Sequence, residues 1–134
     1  MSVEENETVV RRWIDAYNDR DKQAEADARA PGYVAHAPGT SGPLDTEAWV
    51  EFIDSFVDAF PDLRLTVESI VSSGDMVAAR VAFHGTHRGE FQGLPPTNRE
   101  VAFTGMEFDR MADGKVAEHW VELDQVALLQ QLGA

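Results

Sequence analysis

The sequence predicts one α+β domain in which helices pack into the concave side of a curved antiparallel sheet and enclose an apolar pocket. Helical periodicity dominates from Glu4 to Phe60, and alternation typical of strands follows from Leu65 to Leu123. Asp113-Gly114 marks a tight hairpin between the last two strands. Helices first and strands afterwards place the helices on one face of the sheet. With 134 residues the chain accommodates one domain, 1–134, and a single well-filled interior.

From Glu4 to Tyr17, the residues Val9, Val10, Trp13, Ile14 and Tyr17 recur at spacings of three and four, the stripe of an amphipathic helix. A short second helix is expected over Gln23 to Ala30, ended by Pro31. Tyr33 to His36 then reads as a brief extended segment before a glycine- and proline-rich loop. Asp45 or Thr46 caps a third helix whose buried stripe is Trp49, Phe52, Ile53, Phe56, Val57 and Phe60. Leu65, Val67 and Ile70 lie on the first strand of a long hairpin, turned at Ser73-Gly74-Asp75 into Met76 to His87. Glu100 to Met111 and Lys115 to Leu123 form the last hairpin. Val126 to Leu132 closes the chain as a short amphipathic segment that Asp124 can cap.

Composition excludes several functions. A net charge of −13, from 24 acids against 11 bases, repels nucleic acid and anionic membranes. Acids in excess with only two lysines also suggest adaptation to high salt. No apolar run approaches the length of a membrane span, and an acidic N-terminus is unlike a secretory signal, so a cytoplasmic location is expected. With no cysteine there are no disulfides and no thiolate chemistry. The four histidines lack a paired spacing such as His-x-x-x-His, so no metal is expected. Glycine-rich phosphate loops and nucleophile elbows are likewise missing.

On the last strand, alternation sets Ala117, His119, Val121 and Leu123 on one face and Glu118, Trp120 and Glu122 on the other. The apolar set faces the helices and carries His119 inward. Trp120 on the outer face suggests a homodimer interface. One strand earlier the assignment is open: apolar counting turns Met106 and Phe108 inward, whereas the opposite phase turns Glu107 inward.

The runs Gly85-Thr86-His87-Arg88-Gly89-Glu90-Phe91-Gln92-Gly93-Leu94-Pro95-Pro96-Thr97 and Asp113-Gly114-Lys115-Val116-Ala117-Glu118-His119-Trp120, with Leu129-Gln130-Gln131-Leu132-Gly133 and Ala16-Tyr17-Asn18, resemble the SnoaL-like polyketide cyclase (ester cyclase) family. The resemblance implies the cone-shaped nuclear transport factor 2-like (cystatin-like) fold, three N-terminal helices on a curved sheet, often dimeric. It also implies cofactor-free ring closure by an aldol step. In that family an aspartate two residues after a last-strand histidine is the acid/base. Here the histidine is His119 and the aspartate position is Val121. A second family histidine falls on Glu107, and a glutamine on Gly105.

The candidate proton-transfer pair is therefore His119 with Glu107, since valine cannot carry a proton. His36, at the end of its extended segment, and His87 are candidate substrate-binding residues, with Trp13, Tyr17, Phe56 and Val121 as pocket wall. The expected activity is a cofactor-independent cyclase, isomerase or hydratase acting on a small apolar carbonyl compound. The alternative is a non-catalytic ligand-binding or dimerisation module of the same fold.

Overall fold

In the computed structural model, which describes residues 2–134, helix α1 (Val3–Asn18) opens on a capping box: Ser2 accepts from the Glu5 amide while Glu5 reaches back to the Ser2 amide. Its far end is fixed to the sheet by Asn18, whose side-chain amide exchanges two hydrogen bonds of 2.8 Å with the backbone of Leu65. Helix α2 (Lys22–Asp27), capped by Asp21, is shorter than the sequence suggests. Arg29 and Ala30 leave it for strand β1 (Arg29–His36), because the Val116 amide donates to Ala28 and Arg29 pairs with Val116. Helix α3 (Thr46–Ala59) is capped by Asp45, as expected.

Strands β2 (Arg64–Ser73), β3 (Met76–Thr86), β4 (Glu100–Ala112) and β5 (Lys115–Leu123) follow, and helix α4 (Gln125–Gln131), capped by Asp124, makes a fourth helix of the closing segment. The five-stranded sheet has the order β1-β5-β4-β3-β2. Four strands are antiparallel neighbours, and β1 adds to β5 in parallel. The parallel pair arises because the chain crosses from β1 to the opposite edge through α3. Among the described residues no helix is long and apolar enough to cross a membrane.

Two bulges in the antiparallel ladders reset the side-chain phase. One, between Val67 and Ser69 on β2, explains why Leu65, Val67 and Ile70 share a face although their spacing is not even. The other, where β5 passes from Val116 to Glu118, buries Val116 rather than Ala117 alongside His119. The Asp113-Gly114 hairpin is turned by positive φ at both residues, 50° and 75°.

The concave face and the helices share two apolar clusters. Trp13, Ile14, Tyr33, Trp49 and Val81 centre the first; Phe56, Phe60, Phe91, Phe103 and Leu128 centre the second. On β4 the inner residues are Val101, Phe103, Gly105, Glu107, Asp109 and Met111, while Met106 and Phe108 point to solvent at 63% and 56% exposure. Apolar counting thus gives the wrong face for β4: two acids lie inside.

Candidate active site

Cross-strand register assembles the site. Asp109 stands directly opposite His119 and Glu107 directly opposite Val121, and β1 places Ala35 on the other flank of His119. Residues paired in this way hold their Cβ atoms about 5 Å apart, so both acids reach the imidazole. His119 Nδ1 lies 2.5 Å from Asp109 Oδ1 and 3.5 Å from Glu107 Oε2. Trp13 and Trp49 hold the ring from two sides, with centroids 5.1 Å and 4.8 Å away at steep interplanar angles.

All three polar groups are buried, and burial sets their protonation. It pushes Asp109 up to about 7. It raises Glu107 well above the ordinary carboxylate value, and the neighbouring Asp109 charge raises it further. It lowers His119, against the pull of Glu107. Burial is the largest cause at both carboxyls, and the charge of Asp109 adds to it at Glu107, so Glu107 holds its proton more firmly than Asp109 does. Above about pH 7 the consistent state has the proton on Glu107, a carboxylate on Asp109 and a neutral imidazole donating its Nδ1 proton to Asp109. His119 Nε2 then keeps its lone pair. Glu107, Asp109 and His119 also present three ligand atoms within 4.8 Å of one another, and are the residues that could hold a metal ion.

Beside this cluster lies a cavity of about 80 Å³ lined by Trp13, Tyr17, Trp49, Phe52, Phe56 and Val121, together with Glu107 and His119. Of the expected residues, six meet here: His119, Glu107, Trp13, Tyr17, Phe56 and Val121. Two do not. His36 is on the convex face, because pairing Ala35 with His119 turns its neighbour outward; it stacks on Trp120 at 5.2 Å and bonds Glu118 at 2.7 Å. His87 is fully buried, but away from this cavity: its Nδ1 accepts from the Thr97 amide and anchors the loop ahead of β4.

Asp109 escaped the sequence reading, and Trp49 is expected there in the buried stripe of α3 but not against His119. Asp109 shares parity with Glu107, so the phase that turns one inward turns both. Gly105 is also explained by packing: a Cβ there would meet Glu122 O at 2.8 Å and Leu123 Cδ2 at 2.9 Å.

Comparison with known proteins agrees with this architecture. The family model of the SnoaL-like polyketide cyclases matches residues 7–132. Aklanonic acid methyl ester cyclase DnrD of Streptomyces peucetius is 30% identical over 93% of this chain and 88% of its own. Among solved structures, AclR of Streptomyces galilaeus, a proposed hydroxylase, superposes with a TM-score of 0.90 at 32% identity over 98% of both chains. IdmH of Streptomyces antibioticus, a proposed polyketide cyclase, gives 0.88 at 36% identity over 96% of this chain and 99% of its own. With that match spanning nearly every element that builds the cone, the chain belongs to the SnoaL-like polyketide cyclase family and is an enzyme of the cyclase type.

Proposed function

We propose that the enzyme closes a ring in a small, largely apolar carbonyl compound by an intramolecular aldol step, with His119 as general base, Asp109 as its orienting carboxylate and Glu107 as general acid. The observation that carries this is the 2.5 Å contact between His119 Nδ1 and Asp109, with Glu107 beside it at the edge of an apolar cavity. A carboxylate on Nδ1 fixes the tautomer and stabilises the imidazolium that forms when Nε2 takes a proton.

In the reaction, Nε2 removes a proton from a carbon next to a carbonyl. The enolate carbon forms a bond to a second carbonyl carbon of the same molecule. Glu107 protonates the oxygen of that carbonyl, leaving a hydroxyl. Before the next turnover Nε2 releases the abstracted proton to water and Glu107 regains one from water, so His119 is again protonated on Nδ1 alone, the product is an isomer of the substrate and no cofactor is consumed. Val121 fits this assignment, because the carboxylate missing from position 121 is supplied from directly across the hairpin at position 107.

The test is deuterium uptake at the carbon next to the carbonyl of 1-tetralone, followed by NMR in heavy water. Wild type is expected to catalyse uptake, and His119→Ala to lower it at least about 100-fold. Equal rates in both refute the assignment.

The convex face supports a second copy of the chain as partner. Register places Val71, Ala78, Phe108, Trp120 and His36 in one row across all five strands. Val71 and Phe108 are 66% and 56% exposed. Pairs such as Glu118 with Arg110 and Glu68 with Arg80 border the row, the pattern of an apolar interface centre with a charged rim.

A further inference from the structure

The acid/base cluster leaves one carboxyl group of the cavity wall without a task. Glu25, on α2, also lines the cavity and is only 1% exposed. Its Oε1 lies 3.8 Å from Arg29 Nη2, beyond hydrogen-bond range, and its Oε2 has no partner at all. Arg29 offers little relief: its guanidinium lies over the Tyr33 ring at 5.8 Å and its own Nε is unpaired. Lys22, the other nearby cation, is engaged by Asp54.

A buried ion pair that serves only to join α2 to β1 closes its hydrogen bonds, because an unsatisfied charged oxygen is costly in an interior. This pair leaves both Glu25 Oε2 and Arg29 Nε unpaired, and Glu25 is the member that lines the cavity. Burial raises the Glu25 carboxyl, and Lys22 and Arg29 oppose that rise. A ligand hydroxyl satisfies either form: it donates to a carboxylate and exchanges bonds with a carboxylic acid, whereas a ketone can only accept.

We propose that Glu25 is a substrate-binding residue that takes a hydroxyl group of the substrate at the helical wall of the cavity, selecting hydroxylated carbonyl compounds over their deoxy counterparts. Only the placing of the carbonyl end at His119 rests on the acid/base assignment.

Calorimetric titration with 1-tetralone and with its 5-, 6- and 7-hydroxy derivatives tests this. In wild type the best hydroxy derivative is expected to bind at least about tenfold more tightly than 1-tetralone, since a hydroxyl buried without a partner weakens binding. The ratio should fall to about one in Glu25→Leu and to an intermediate value in Glu25→Gln, which keeps the size of the side chain should the leucine variant not fold. It should persist in His119→Ala. No preference for any hydroxy derivative in wild type, or a preference that survives the Glu25 substitutions, overturns the proposal. A preserved ratio with no deuterium uptake in wild type refutes the acid/base assignment and leaves the Glu25 site standing.

Discussion

Asp109→Asn separates the energetic consequence of the buried acids from their chemistry. Asp109 moves from an ordinary value of 3.8 to about 7 on folding. The folded state therefore holds this proton more tightly than the unfolded chain does. That stabilisation is complete below about pH 4 and is lost as pH rises through about 7. Three units at 1.4 kcal/mol each amount to about 4 kcal/mol lost between pH 4 and pH 8, or roughly 10 °C of melting temperature for a chain of this size. Asparagine has the same shape and no proton to lose. Melting followed by circular dichroism from pH 4 to pH 8 should therefore show the difference between variant and wild type shifting by roughly 10 °C in favour of the variant at the alkaline end. His119, lowered from 6.5, contributes with the opposite sign, its stabilisation lost as pH falls through 6.5. Burial, the largest cause of the His119 and Glu107 shifts, is kept in both chains, as is the repulsion of the acidic surface. A difference that does not change with pH refutes the buried, raised carboxyl. Activity should fall by about 1,000-fold or more in the same variant, because an amide no longer selects the productive tautomer.

Val121→Asp sets a third acid beside Glu107 and Asp109, at a half-buried position directly opposite Glu107; it should lower stability by about 3 kcal/mol at pH 7 in urea titrations, without raising activity. Phe108→Glu should convert a dimer to a monomer in light scattering at micromolar protein while deuterium uptake persists; a monomeric wild type contradicts the interface. If the excess of acids reflects adaptation to high salt, the melting temperature should rise from low to molar KCl, and a flat response removes that idea.

Much of the cone is legible in the sequence because its elements repeat with strong periods. The stripes of α1 and α3, the Asp113-Gly114 turn and the inward phase of His119 all follow from spacing alone. What is hidden depends on contacts distant in sequence. Two acids, at 107 and 109, break the rule that the more apolar face is buried, since burial keeps Glu107 protonated and His119 bonds Asp109. The bulge at Val116 and Ala117 leaves no mark in hydropathy, yet it moves Asp109 from opposite Glu118, where an unbroken two-residue hairpin would place it, to opposite His119. The outward turn of His36 follows from the parallel pairing of β1, a partner far away along the chain. Glu25 is invisible to pattern: on a short helix of mixed polarity only the tertiary arrangement shows that it is buried.

The state of the His119 ring is the centre of the account, and nitrogen-15 NMR of histidine-labelled protein at pH 8.5, where Asp109 is ionised, reads it without any substrate. The account predicts a neutral ring protonated on Nδ1, with an unprotonated Nε2 that moves to the Nε2-protonated form in Asp109→Asn. A proton on Nε2 in wild type, or a full imidazolium at that pH, would contradict it.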